Sequence, residues 1–352
     1  MNNARSGASY AVLAALLFGA STPAAKMLLT GTPALSPWLM AGILYLGSGL
    51  GLGLFMAARK SLGKETESPL GRRDLPWLLG ATCSGGILGP VLLLQGLSRL
   101  AAGTASLLLN LEGVFTAGLA WFAFREAFDR RIFLGMTLIL AGGTLLSMGG
   151  GQGGNRLGAA LLAGACLCWA LDNNLTRRIS GSDPVQIAMV KGLAAGATNI
   201  LLASILLHDR AQVWQWALGG GIGFVGYGLS LACFVLALRQ IGTARTGAYF
   251  SLAPFVGVLL ALATGRESPS LQLAAAALLM GAGVWLHLTE HHEHRHCHEA
   301  MEHTQLHWHD EHHHHAHSPD DPPGEPHTHL HRHEPLVHSH PHFPDLHHSH
   351  RH

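Results

Sequence analysis

The chain has 352 residues, 48% of them hydrophobic and 12% charged, about half the charged share of an ordinary soluble domain. Its formal net charge of +1 hides two regions of opposite sign: residues 1–290 carry 19 Lys or Arg against 11 Asp or Glu, whereas residues 291–352 carry three Arg, ten acids and 24 of the 26 histidines. A soluble two-domain enzyme is excluded, and so is a nucleic-acid binder, because the basic residues flank apolar runs and form no stripe.

A bilayer core of about 30 Å takes about 20 mostly apolar residues as helix. Ten segments meet that length, near 10–29, 37–57, 75–97, 103–124, 132–149, 158–177, 185–206, 215–237, 244–264 and 270–288. The first follows a start with a single Arg5 and reads as a retained membrane helix rather than a cleaved leader. The breaks between segments are charged or turn-like, as at Thr30-Gly-Thr-Pro33, Arg59 to Asp74, Arg125 to Arg131, Arg177 to Pro184 and Arg239 to Gly242. The 44 glycines let membrane helices approach closely. The five cysteines suit no disulfide framework. Cys166-Leu-Cys168 could form a soft metal pair, but buried packing is the better reading.

Basic residues orient the chain. With the N-terminus in the cytoplasm, 12 Lys or Arg fall in inner loops and 4 (Arg99, Arg156, Arg210 and Arg266) in outer ones. Ten spans then leave both termini, and the histidine tail, in the cytosol.

An internal repeat is legible. Arg99-Leu-Ala-Ala-Gly-Thr-Ala105 matches Arg239-Gln-Ile-Gly-Thr-Ala244 with one residue dropped. Each precedes an apolar span containing Val114-Phe115 or Pro254-Phe255 and ending in Arg125-Glu126 or Arg266-Glu267. Five spans per half is an odd number, so the second half is inserted upside down. Inverted repeats of this kind mark secondary transporters, with the solute site near mid-membrane where the repeats meet. The expected fold is an all-α integral membrane protein of ten transmembrane helices in two inverted five-helix repeats, plus a disordered tail. The units are 1–150, 151–288 and 289–352.

Phe18-Gly-Ala-Ser-Thr-Pro-Ala-Ala-Lys26, at the end of the first span, resembles the tryptophan-glycine…lysine signature of the EamA-type drug/metabolite transporters. The Gly-Thr-Ala, proline-phenylalanine and Arg-Glu pattern of spans four and nine is similar too. The resemblance covers residues 10–288. It implies a ten-helix permease of the bacterial inner membrane that moves small organic solutes, commonly outward, and no enzymatic activity. This chain departs from the pattern with Phe18 for the usual Trp and with Gly113-Val114 where a proline is common. In span six it has Cys168-Trp169-Ala-Leu-Asp-Asn-Asn-Leu-Thr176.

The candidate substrate or coupling residues are Glu112, Asn110, Asp172, Asn173, Lys26, Lys191, Tyr227 and Tyr249. Glu112 lies near the middle of span four, where an ionisable group costs a few kcal/mol. It must be paired, protonated or facing water, which suits a proton-coupling carboxyl; a structural hydrogen bond between helices is the alternative. Asn110, two residues away, points in a different direction on an ideal helix and shares a face with Ser106. Asp172-Asn173-Asn174 cannot all face lipid, so one at least should line a cavity, although Asp172 could instead pair with Arg177 or Arg178. Lys26 and Lys191 sit near span ends and either pair with a buried carboxylate or snorkel to the interface; for Lys191 the second is expected. Tyr227 and Tyr249 offer an apolar body with a polar tip. Pro23 and Pro254 either break their helices or simply kink them. No nucleophile triad, phosphate loop or zinc-protease motif is present.

The tail opens His291-His-Glu-His294-Arg-His296-Cys-His298. In an extended chain alternate residues share a side, so His292, His294, His296 and His298 align. The pattern returns at His312, His313, His314 and His315, and at His327, His329, His331 and His333. Neutral imidazole suits Zn, Ni, Co and Cu, and such tracts read as metal binding; no cofactor is required. With an ordinary pKa near 6.5, roughly a quarter of the imidazoles are charged at pH 7 and about three quarters at pH 6, so a pH response is the alternative. Little apolar area is present to offset chain entropy, hence the expected disorder.

Three functions compete: an exporter of an organic solute, an exporter of a metal or metal–metabolite complex, and a membrane-anchored metal sensor or store. The inverted repeat argues against the third. The scarcity of hard or imidazole ligands within the spans argues against a bare ion. The expected partners are the lipid bilayer, a small solute and divalent metal, with no nucleic acid; a homodimer stays open.

Overall fold

A computed structural model describes residues 2–62, 68–124, 130–148, 155–265, 267–289, 293–298, 301–307, 327–333 and 336–341. The body is helical throughout: α1 (Asn2–Leu29), α2 (Pro37–Ser61), α3 (Leu75–Ala81), α4 (Gly89–Arg99), α5 (Ala102–Leu108), α6 (Leu111–Phe124), α7 (Arg130–Met148), α8 (Arg156–Ile179), α9 (Pro184–Leu206), α10 (Val213–Gly223), α11 (Ser230–Phe250), α12 (Ala253–Ala263) and α13 (Leu271–Leu288). Local chemistry sets several starts. Ser36 Oγ accepts from Leu39 N ahead of Pro37. Asn155 Oδ1 accepts from Gly158 N at α8, and Asp183 Oδ1 from Val185 N and Gln186 N at α9. Each satisfies N–H groups that a helix start leaves orphaned.

These helices make ten spans. Among the described residues six are long and apolar enough to cross a membrane on length and composition alone: Ser6–Leu29, Pro37–Ser61, Arg72–Arg99, Pro184–Leu206, Val213–Ile241 and Arg245–Ala263. The broken pair α5–α6, the helices α7 and α13 and the polar-bearing α8 complete the set. The repeats interlock rather than sit side by side: α2 packs on α9, α1 on α11, α7 on α13 and α4 on α8. At Gly49 and Gly192 the α2 and α9 backbones touch, and a Cβ on Gly192 would stand 2.7 Å from Gly49 N. Only glycine permits that approach.

Two kinds of irregularity recur in both halves at one spacing. The third span contains a π-helical turn at Thr82–Leu88 and the eighth another at Phe224–Leu229; Thr82 and Phe224 are 142 positions apart. Span four breaks at Leu109-Asn110 between α5 and α6, and span nine at Ser251-Leu252 between α11 and α12. Leu109 and Ser251 are also 142 positions apart. Pro254 follows the second break at the start of α12 and has no N–H to give. Pro23, by contrast, sits inside an unbroken α1.

One expected boundary is made without leaving helical backbone. Helix runs through Arg239–Gly242 as part of α11. Arg239 Nε and Nη2 donate to the carbonyls of Ser180 and Ser182 at 2.9 and 2.8 Å. The guanidinium thus ties this stretch to the connection between α8 and α9, and the chain reverses here: Phe234 and Phe250 bring their rings to 5.0 Å between centroids, where a straight helix would set them about 24 Å apart.

Beyond Thr289 the described residues form β1 (Glu293–His298), β2 (Met301–His307), β3 (His327–His333) and β4 (Leu336–Pro341). They pair antiparallel as β1 with β4 and β2 with β3. A two-stranded pair alone is marginal in water.

Candidate substrate and coupling site

The two broken spans face each other across a narrow cavity. Its walls are Leu109, Glu112, Gly113 and Thr116 from the first break, Gly247, Phe250, Ser251, Ala253 and Pro254 from the second, and Phe18 and Asn173 from the first helices of the two repeats. It measures ≈ 340 Å³ with its open mouth included; its closed part has room for about one water. Glu112 stands in the first turn of α6, where a carboxylate is favoured by the helix dipole. Its Oε1 accepts from Asn173 Nδ2 at 2.7 Å. Among the described residues no Lys or Arg pairs with it. Thr116 Oγ1 is buried and unpartnered. Opposite these polar groups lie the rings of Phe18 and Phe250, 5.4 Å apart between centroids.

A second polar cluster lies on the far side of α8. Lys191 Nζ donates to Asp172 Oδ1 at 2.6 Å and to Thr176 Oγ1 at 3.2 Å, and the lysine is 1% exposed. Asp172 packs against Gly85, where a Cβ would come within 1.9 Å of Oδ2. Gly85 belongs to the first π turn, just ahead of Pro90. Because Pro90 has no N–H, nearby backbone carbonyls need other donors. Tyr45 Oη and Trp169 Nε1 supply the Gly85 carbonyl, at 2.9 and 3.0 Å. Asn199 Nδ2 supplies that of Gly86, at 3.2 Å. Asp172 and Asn173, adjacent on α8, therefore face different clusters.

The EamA-like transporter family matches residues 5–148 and again residues 156–289, most of the chain. The chain belongs to the EamA-like transporter family. It is similar to an uncharacterised transporter of Methanothermobacter thermautotrophicus, 28% identical over 63% of this chain and 67% of that protein. It is also similar to an uncharacterised inner membrane transporter of Escherichia coli (strain K12), at 24% over 68% and 78%. A "probable amino-acid metabolite efflux pump" of Salmonella typhimurium is 27% identical over 53% and 67%. One crystal structure superposes with a TM-score of 0.61 at 21% identity, covering 80% of this chain and 96% of that one, and so shares the fold. The protein is a multi-pass membrane transporter and not an enzyme.

Within this EamA-like fold the sequence candidates separate. Glu112 and Asn173 meet at the cavity. Asp172 and Lys191 pair with each other, so Asp172 does not depend on Arg177 or Arg178, and Lys191 does not snorkel as expected. Its ammonium is held by a carboxylate only 19 residues away, and no route to water is needed. Asn110 faces away from the cavity, with Nδ2 on the Leu107 carbonyl at 3.2 Å and Met280 Sδ at 3.8 Å. Lys26 donates to the Leu97 carbonyl at 2.7 Å and to that of Leu100. Close by, Glu267 accepts from Gly103 N and Thr104 N at 2.8 and 3.3 Å. Tyr227 packs edge-on to Phe18 and Tyr45, and Tyr249 packs against Ala11, Ala237 and Ile241; neither lines the cavity. The 142-residue spacing sets Glu112, rather than Gly113-Val114, opposite Pro254.

Thr116, Phe250 and Ser251 are cavity residues that the sequence did not single out. The repeat could have found Ser251, as the counterpart of Leu109. Among the described residues no group of three His, Cys, Asp or Glu is placed to hold a metal. His292, His312, His313, His314 and His315 lie outside the described residues. His294, His296 and His298 fall in β1, and His327, His329, His331 and His333 in β3.

Proposed function

We propose that this protein is a secondary transporter that exports a small organic solute through the cavity at Glu112, using that carboxylate for coupling. The observation that carries the reading is the meeting of two broken helices, one from each inverted repeat, around a single acidic side chain. Broken helices at a repeat interface are where transporters of this architecture bind solute. The outward direction rests on the family resemblance and on the efflux described for the Salmonella relative. The contracted cavity fits a state in which the solute has left, and rocking of the interlocked halves would reopen it.

Proteoliposomes loaded with panels of amines, amino acids and carboxylates test this. Glu112→Gln keeps the shape and the bond to Asn173 but removes the ionisable group, so flux driven by a pH gradient should fall at least tenfold. Wild-type pH-dependent transport in that variant would assign Glu112 to structure. We further propose that the tail binds divalent transition metal beside the cytosolic mouth. The backbone register of β1 with β4 sets His294 opposite His340 and His296 opposite His338. Export of a metal–metabolite complex is the second reading that this tail favours.

A further inference from the structure

Charge complementarity at the cavity narrows the cargo, on the reading that the cavity is the transport site. Among the described residues Glu112 is the one ionisable side chain lining it. Asn173 engages Oε1, and among the described residues no cation neutralises the carboxylate. The two lysines of the neighbouring helices are committed elsewhere, Lys191 to Asp172 and Lys26 to backbone carbonyls. Among the described residues that line the cavity, a cargo carboxylate would therefore meet no basic side chain. Nor does the start of α12 replace one. Pro254 has no N–H, and the N–H groups of Phe255 and Val256 are bonded to the Leu252 carbonyl at 3.1 and 3.3 Å. The equivalent start of α6 carries Glu112 itself and repels anions. Facing the carboxylate are two phenyl rings, Phe18 and Phe250, whose faces attract cations and whose bodies bury apolar groups.

We propose that the cargo is an organic cation with an apolar body, its charge held by Glu112 and its body packed against the adjoining rings of Phe18 and Phe250. Thr116 Oγ1 offers one further polar contact beside the charge. Inorganic cations fit poorly, since a single carboxylate and the hydroxyls of Thr116 and Ser251 cannot replace a hydration shell. Amino acids fit poorly because their carboxylate has no partner.

The test uses three probes that share a phenyl ring: benzyltrimethylammonium, phenylacetate and phenylalanine. Binding to the purified full chain is measured by calorimetry, and exchange by counterflow in proteoliposomes. The cation should bind and exchange saturably, with at least tenfold preference over the anion and the zwitterion. Glu112→Gln should weaken it tenfold or more, Glu112→Asp should retain part, and Phe250→Ala should cost several-fold. All variants are first checked for monodispersity by size exclusion. Failure of the cation to bind wild type, or equal binding by a monodisperse Glu112→Gln, overturns the cargo class. If phenylacetate or phenylalanine exchanges instead and is lost in Thr116→Val and Phe250→Ala, the cavity stands as the site and only the class falls. If exchange of any probe ignores Glu112→Gln, Thr116→Val and Phe250→Ala alike, the cavity itself is not the site.

Discussion

Lys191 and Asp172 show how a residue-scale arrangement carries a stability consequence. Taking a lone charge out of water is expensive, and a buried pair is tolerated only because each partner cancels the other. Lys191→Ala would leave Asp172 facing Gly85 and Thr176 without its cation. A loss on the order of 3–5 kcal/mol is expected, seen as a lower melting temperature in detergent and a lower yield of monodisperse protein. The double change Asp172→Asn with Lys191→Met should recover most of that loss, since neither side chain then carries charge. A Lys191→Ala variant as stable as wild type would mean that Asp172 is hydrated. Among the described residues Glu112 has no such cation, and this difference separates the coupling candidate from the structural pair.

At the scale of the helix, small residues and interruptions matter more than hydrophobicity. Lipid tails are as apolar as leucine, so helices associate through close packing. The α2–α9 contact depends on backbone meeting backbone at Gly49 and Gly192. Gly192→Val is expected to force the helices apart, costing about 1–3 kcal/mol as overpacking does, while Gly221→Ala should be near neutral because nothing lies within 4 Å of its added Cβ. Comparing thermal stabilities of the two variants checks this. The π turns are a different device. By displacing the usual ladder they leave carbonyls for side chains from other helices, and such turns recur at functional sites. Here Tyr45, Trp169 and Asn199 converge on the first turn, and Tyr227 belongs to the second.

At the scale of the whole molecule, orientation and the tail are linked. The 12-to-4 excess of basic residues in one set of loops is the basis for proposing that both termini lie in the cytoplasm. An impermeant thiol reagent applied outside intact cells should label a cysteine introduced at Gly153 and spare one at Gly63; the reverse pattern would put the histidines outside. Full-length protein should bind several equivalents of Ni, Co, Zn or Cu beyond those bound by a chain ending at residue 290. Imidazole ligates only when neutral. With ordinary histidine pKa values near 6.5, protons therefore compete as pH falls, and binding that is strong at pH 7 should be largely lost at pH 5.5. Calorimetry on both chains at the two pH values measures it. A pH-independent affinity, or no difference between the chains, would remove the metal role. Transport by the shortened chain should persist, because every cavity wall comes from the helical body.

Apolar length, basic asymmetry and the repeated Gly-Thr-Ala and Arg-Glu signatures are local properties of the chain. They determined the ten spans, the two halves and the prominence of Glu112 before any contact was known. The bilayer makes this so: every span must satisfy its own backbone, and length and composition then nearly dictate helix. The sequence also marked Asp172, Asn173, Lys26 and Lys191 as polar residues needing an explanation. It could not say which of them meet. Partners for a buried charge lie on other helices, and their rotation about the helix axis is set by packing rather than by spacing. Tertiary structure alone decided that Asn173 turns to Glu112 while its neighbour Asp172 turns to Lys191. It also decided that Asn110, Tyr227 and Tyr249 stay out of the cavity, and that Thr116, Phe250 and Ser251 enter it. Those choices follow from where two broken helices of opposite repeats happen to cross, which no single segment encodes.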